Sequence, residues 1–240
     1  MIILGVDSSS AAGSAAVSRD GELLYEAFAN EGLTHSQTLL VRCDEALRAG
    51  GVRPSDVDVF AVTSGPGSFT GLRIGMGLVK GMAFATGAKC AGVSTFLALA
   101  EPLRHSGRDI LTVLDARQKR AYCSAYRSLD GELYKVMDEC VLNFSELNEA
   151  AGRAGLAAPL VVGDISMEAV SYVDGAEYAG DDFRYVHAGY VCKAALSMAE
   201  KGLLCSADEL RPFYLQLSQA ERNRIHSDRE EKQNETDDRQ

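Results

Sequence analysis

No lysine stands in the glycine-rich loop that runs from Ser64 to Gly77; the first one after it is Lys80. A P-loop needs Gly, four residues, then Gly-Lys-Ser/Thr to set an ammonium against phosphates, so that grip is excluded. The dinucleotide fingerprint Gly-x-Gly-x-x-Gly fails as well, because Gly65-x-Gly67 reaches Thr70 at its sixth place and Gly71 comes one residue late. Thr70-Gly71-x-x-x-Gly75-x-Gly77 matches a short-chain dehydrogenase pattern, but it lies too far into the chain and none of the nine tyrosines has a lysine four residues on. No serine is framed as Gly-x-Ser-x-Gly, which removes the nucleophile elbow. His35 meets Leu39, not a second imidazole, one helical turn later, and His105, His187 and His226 sit in unrelated segments. No metal ligand and no catalytic residue is therefore assigned.

The six cysteines form no Cys-x-x-Cys, which disfavours a zinc knuckle or a redox pair and leaves reduced, mostly buried thiols as the expectation. No basic leader and no apolar run near the roughly 18 residues that span a bilayer is present, so a cytoplasmic chain without membrane contact is expected. Positive charge is short: the net charge is −10. Each phosphate contact wants a Lys or Arg, so any nucleic acid must be met through a partner that supplies the basic surface.

What is present is a duplicated plan over 240 residues. Gly5-Val6-Asp7 closes a first strand, Ser14 to Val17 reads as a second, Asp20-Gly21 as a hairpin turn and Glu22 to Tyr25 as a third strand. Val113-Leu114-Asp115, Ala121 to Tyr126, Asp130-Gly131 and Glu132 to Tyr134 repeat that order. After each meander the apolar period lengthens to that of a helix. In the first half Leu39, Leu40, Cys43, Ala46 and Leu47 mark a helix that stops at Gly50-Gly51; a strand Val57 to Thr63, the glycine loop, a helix over 70–85, a strand near Cys90 and a helix capped by Ser94 follow. The second half predicts a helix over 145–154, a strand over 159–162 ending on Gly163-Asp164, and a helix over 188–201. Such a βββαβα order occurring twice is the plan of the actin, Hsp70 and sugar-kinase superfamily, an α/β fold with two lobes: 1–103 and 104–218. Residues 219–240 carry seven acids, five Lys/Arg and a single Ile, which predicts a disordered or solvated tail.

Asp7-Ser8-Ser9-Ser10 lies at a strand-to-strand turn, where hydroxyls and N–H groups could cradle a phosphate or, through Asp7, a hydrated Mg²⁺; an ordinary turn satisfying its own backbone is the competing reading. Asp115-Ala116-Arg117 is the matching turn and Gly163-Asp164 the third corner. Asp7, Ser8, Ser9, Asp115, Gly163 and Asp164 are thus the candidates for a remnant nucleotide site, with Arg117 pairing either a phosphate or Asp115. Glycine costs a helix nearly 1 kcal/mol relative to alanine, so Gly71, Gly75, Gly77 and Gly81, spaced by turns, imply that another backbone packs close, within this chain or from a partner.

Together Ile3-Leu4-Gly5-Val6-Asp7-Ser8-Ser9, Gly65-Pro66-Gly67-Ser68-Phe69-Thr70-Gly71-Leu72-Arg73-Ile74-Gly75, Gly92-Val93-Ser94-Thr95, Leu114-Asp115-Ala116-Arg117 with Tyr122 and Tyr126, and Arg211-Pro212-Phe213-Tyr214-Leu215 resemble the TsaB (YeaZ-type) family of threonylcarbamoyladenosine biosynthesis proteins. Gln216 departs from the arginine usual after the closing Tyr-Leu. The resemblance implies a non-catalytic subunit of the machinery that places threonylcarbamoyl on N6 of adenosine 37 in tRNAs reading codons that begin with A. It implies a TsaD-type transferase as heterodimer partner, a TsaE-type ATPase that joins the pair, tRNA met only through the complex, and no cofactor in the isolated chain, ATP/ADP and Mg being used by the partners. Self-association of the chain alone is left open. The partner surface is expected on two helices of the first lobe, at His35, Leu39, Leu40, Cys43, Leu47, Gly71, Arg73, Gly75 and Leu78. A small-molecule kinase of the same fold would need a catalytic Asp and an ATP pocket, and a glycoprotease would need the metal pair that is missing.

Overall fold

Hydrophobic periodicity organises the chain into two five-stranded sheets with helices between and outside them. A computed structural model describes residues 1–32 and 34–216; the tail expectation at 219–240 lies outside the described residues. The first sheet is built from β1 (Ile2–Asp7), β2 (Gly13–Arg19), β3 (Glu22–Ala29), β4 (Val59–Gly65) and β5 (Lys89–Ser94), in spatial order β3-β2-β1-β4-β5. Its first three strands form the expected antiparallel meander, and β4 and β5 join parallel to β1. The second sheet, of β6 (Asp109–Asp115), β7 (Arg120–Leu129), β8 (Glu132–Asn143), β9 (Leu160–Val162) and β10 (Glu177–Tyr178), has the same order read outward from β6. The duplicated two-lobed α/β plan is therefore present strand for strand. Asp20 and Asp130 both adopt positive φ at the two Asp-Gly hairpin turns, as tight turns of this sequence require.

The helices are α1 (His35–Ala49), α2 (Phe69–Thr86), α3 (Thr95–Ala100), α4 (Leu147–Arg153), the single turn α5 (Ser166–Ala169) and α6 (Ala188–Glu200). Leu39, Cys43, Ala46 and Leu47 of α1, with Met76, Val79 and Ala83 of α2, cover one face of the first sheet. Ser68 caps α2 by accepting from the Gly71 N–H, and Gly87 ends it in the left-handed region. On the other face α3 and α6 lie between the two sheets, so that Ile3, Ala16 and Val59 share one core with Ile110, Leu114 and Val162.

That shared core runs across the expected division between 1–103 and 104–218. The chain after the second sheet returns to the first: Ala188, Val191, Cys192 and Ala195 of α6 pack on β1 and β2, and the segment that follows stays there. Gly5 makes the return feasible, since a Cβ at that position would lie 2.6 Å from the Ala188 carbonyl oxygen and 2.7 Å from Cys192 Sγ. Cys205 then exchanges both backbone hydrogen bonds with Cys90 on β5, and Leu210 enters the core under α1 and α2. Glu26 of β3 fixes the start of α6 by accepting from His187 Nδ1 at 3.0 Å and from the Gly189 N–H at 3.0 Å. This contact holds the His187 pKa above its ordinary value. Among the described residues no helix is long and apolar enough to cross a membrane.

Candidate functional site

β1 ends in Asp7, whose carboxyl group is fully buried at the junction of β1, β4 and the glycine loop. One oxygen, Oδ1, accepts from the Ser9 hydroxyl at 2.7 Å, the Thr63 hydroxyl at 2.7 Å and the Ser9 N–H at 3.2 Å. The other, Oδ2, is buried with no hydrogen-bond partner. Burial outweighs the three donors and raises the Asp7 pKa. Thr63, absent from the sequence-derived candidates, is thus the residue that holds Asp7 from the neighbouring strand.

The turn after Asp7 is consumed by its own chain. Ser8 Oγ donates to the Gly71 carbonyl at 2.9 Å, and the Ser9 carbonyl accepts from the Ser68 N–H at 2.7 Å. A Cβ at Gly71 would lie 2.0 Å from the Ser8 carbonyl oxygen, and one at Gly67 would lie 2.4 Å from that of Ser9. At Gly65, whose φ is +125°, it would lie 2.2 Å from the Phe213 carbonyl oxygen. At Gly65, Gly67 and Gly71 the glycine block therefore admits other backbone segments of this chain, the first of the two readings that its composition allowed. Ser8 and Ser9 do not fit a phosphate: their hydroxyls already have acceptors within the turn and α2.

The matching corner of the second lobe behaves similarly. Gly163 sits at φ +114° with its Cα against β6, where a Cβ would be 1.8 Å from the Val113 carbonyl oxygen. Asp164 Oδ1 accepts from the Asp115 N–H at 3.0 Å, and Asp115 Oδ1 accepts from the Arg117 N–H at 2.7 Å. Arg117 meets Asp115 through its backbone, within a turn where Arg117, Gln118 and Lys119 all have positive φ. Burial, with the Asp115 charge nearby, pushes the Asp164 pKa up to about 6. Two adjacent carboxyl groups in this corner disfavour an anionic ligand unless a cation intervenes, and among the described residues no cluster of three or more metal-ligating side chains forms. The six candidate nucleotide residues thus come from three turns gathered at two places, Asp7, Ser8 and Ser9 at the one and Asp115, Gly163 and Asp164 at the other.

The partner-surface candidates separate into two sets. Leu39, Cys43 and Leu47 are buried on the first sheet and offer nothing to a partner; their helical stripe is the chain's own core. His35 Nε2 is bound to the Ser10 carbonyl at 2.8 Å, and Leu78 packs partly against the same core. Gly71 and Gly75 also face inward, a Cβ at Gly75 lying 2.3 Å from Ser8 Oγ and 3.3 Å from Val62. Leu40 and Arg73 do face outward. Leu40 is 60% exposed beside Val41 at 63%, and Phe84 on α2 is 78% exposed. Arg73, Gly77, Gly81 and Phe84 make one outward stripe of α2, and a Cβ at Gly77 or Gly81 would meet nothing within 4 Å. Val41 and Phe84 were not among the sequence-derived candidates, although on α2 the steps from Arg73 to Gly77, Gly81 and Phe84 are the i, i+4 and i, i+3 spacings of one helix face. Arg73 stacks on Phe69 at 3.9 Å and donates to the Tyr214 hydroxyl at 3.0 Å, which locks the closing Phe213-Tyr214-Leu215 segment to the start of α2.

Comparison with known proteins adds to this geometry. The profile of the family described as "TsaD: tRNA N6-adenosine threonylcarbamoyltransferase" matches residues 31–174. The chain is similar to the tRNA threonylcarbamoyladenosine biosynthesis protein TsaB of Haemophilus influenzae, at 28% identity over 90% of this chain and 93% of that one. With the Escherichia coli protein of the same name it shares 32% identity over 53% of this chain, and there it spans about half, 55%, of the relative's length. Among solved structures it resembles a Pseudomonas aeruginosa protein described as similar to the peptidase YEAZ, with a TM-score of 0.78 at 28% identity over 90% of this chain and 99% of that one.

Proposed function

The chain belongs to the TsaD family, in its TsaB or YeaZ-type branch, and from that premise we propose that it is the non-catalytic partner of a TsaD-type transferase that forms N6-threonylcarbamoyladenosine at position 37 of tRNAs reading codons that begin with A. The observation that carries this reading is the fate of the glycine block. Its glycines receive Ser8, Ser9 and Phe213 of the same chain and so leave the block no open cradle for a ligand. The fold is kept, and the outward faces of two neighbouring helices carry exposed apolar side chains instead.

The partner surface we propose is that outward face: Leu40 and Val41 of α1 with Arg73, Gly77, Gly81 and Phe84 of α2. Open glycines let a partner helix approach the α2 backbone closely. An exposed Phe and an Arg at the ends of the stripe are the side-chain types that anchor interfaces. With a net charge of −10 the chain reaches tRNA through the complex, whose other members supply the basic surface. A TsaE-type ATPase joins the pair, ATP, ADP and Mg serve the partners, the isolated chain holds no nucleotide of its own, and the setting is the cytoplasm. Self-association of the pure chain would use the same face and compete with the heterodimer.

The test is sedimentation of the full chain mixed with a TsaD-type transferase. The wild-type chain should form a one-to-one complex, and Leu40→Asp, at a position 60% exposed, should lose it while melting normally. A complex that survives Leu40→Asp and Gly77→Leu together would place the interface elsewhere.

A further inference from the structure

Absence of a Cys-x-x-Cys in the sequence does not prevent two cysteines from meeting across strands. Cys123 of β7 lies directly opposite Cys140 of β8 in the antiparallel register, and their sulfurs are 3.5 Å apart. Residues opposed in this way hold their Cβ atoms roughly 4.5–5.5 Å apart, close to the separation of about 3.5–4.5 Å that a disulfide takes. The two strands are already tied along most of their length, so closing the pair asks only for a local adjustment beside the bulge that follows Cys123. β8 is the outer strand of its sheet, and Cys140 is partly exposed there while Cys123 faces the core.

We propose that Cys123 and Cys140 form a reversible oxidation site, a cross-strand dithiol that a hydroperoxide converts to a disulfide and an external dithiol restores. The inference stands apart from the assignment to threonylcarbamoyladenosine synthesis. In the first step the Cys140 sulfur attacks a peroxide oxygen, the O–O bond breaks, and a sulfenic acid forms while the leaving oxygen takes the thiol proton and departs as water, or as the alcohol of an organic hydroperoxide. In the second the Cys123 sulfur attacks the Cys140 sulfur, the S–O bond breaks, and hydroxide leaves as water with the Cys123 proton. The chain loses one pair of hydrogens, and the peroxide takes up both electrons.

The surroundings assign the two roles. Cys140 is the half-exposed sulfur that an oxidant reaches and Cys123 the buried one behind it, and the hydrogen bond between the two sulfurs favours a thiolate at the exposed Cys140, whose pKa it lowers. Cys43 and Cys192 are sealed in the core, where burial pushes each thiol up to about 12, and Cys90 rises to about 11. Thiols of that kind are inert toward oxidants. Cys205 faces Cys90 across a pair of backbone hydrogen bonds, and burial raises it as well.

The experiment treats the reduced full-length chain with hydrogen peroxide, alkylates the remaining thiols at intervals and maps the peptides by mass. A linked peptide pair containing Cys123 and Cys140 should accumulate about tenfold faster than any thiol is lost at Cys43 or Cys192. Dithiothreitol should return both thiols. Cys140→Ser should abolish the fast phase, and Cys123→Ser should leave a sulfenic acid at Cys140 that a dione probe traps. Three results would overturn the proposal: a linkage mapping to Cys90 and Cys205, oxidation of Cys140 to sulfinic acid without a linked pair, or a fast phase that persists in Cys140→Ser.

Discussion

At Asp7 one carboxyl oxygen is saturated with donors and the other faces none, an arrangement that holds the group in place without requiring its charge. Asp7→Asn keeps the acceptor oxygen and should change stability by no more than about 1 kcal/mol at neutral pH, whereas Asp7→Ala orphans the Ser9 and Thr63 donors and should cost about 1–3 kcal/mol. Urea unfolding of the two variants checks this, and an Asn variant as damaged as the Ala one would show that the negative charge itself is needed. Asp164 gives a pH signature. Its folded pKa of about 6 lies above the ordinary aspartate value of 3.8, so the stability its neutral form contributes is fully present below 3.8 and is lost as the pH rises through about 6. Unfolding free energy should therefore fall by about 3 kcal/mol over that interval on account of this residue. Asp164→Asn, measured by unfolding at several pH values, should flatten the decline; an unchanged slope would assign it to other groups. Both carboxyl groups were legible as turn residues in the sequence. Their burial was not, because it depends on Thr63 and Asp115, which reach them from neighbouring strands and leave no local mark.

Among the elements, α2 shows where periodicity informs and where it is ambiguous. Four glycines in one helix announce close approach, but spacing alone does not say from which side. Gly71 and Gly75 face Ser8, and Gly77 and Gly81 face outward. The glycine exchanges therefore divide. Gly75→Leu forces a side chain into Ser8 and Val62 and should destabilise the chain itself by about 1–3 kcal/mol as an overpacked core does. Gly77→Leu meets open space, should melt within about 0.5 kcal/mol of the parent, and should nonetheless weaken the transferase complex severely. Calorimetry of each variant alone beside sedimentation with the transferase separates the two effects, and normal binding by Gly77→Leu would remove α2 from the interface. The α1 stripe illustrates the same ambiguity: Leu39, Cys43 and Leu47 recur at helical spacing because they cover the first sheet, whereas Leu40 and Val41 break that period and are exposed.

For the whole molecule, both meanders, both Asp-Gly turns and five of the six helices could be placed from apolar period and turn residues, since these signals are local. A second lobe expected from 104 has its first strand at Asp109, five residues on and one loop away. The larger departure is α6, which follows the second sheet in the chain yet packs on the first. Nothing in its own sequence marks that, apart from Gly5, which has no Cβ because α6 lies against it. The result is a chain whose beginning and described end are fastened together at the glycine block, through the Phe213 N–H to the Ser64 carbonyl at 2.7 Å and the Arg73–Tyr214 contact. Such fastening suits a component that holds a partner in place more than one that opens and closes on a nucleotide. The most direct measurement is the yield of threonylcarbamoyladenosine in tRNA given threonylcarbamoyl-AMP, a TsaD-type transferase and a TsaE-type ATPase, as this chain is titrated in. The account predicts a yield that rises until one chain is present per transferase, with no product from this chain and tRNA alone. A yield indifferent to the chain, or product formed by the chain without the transferase, would contradict it.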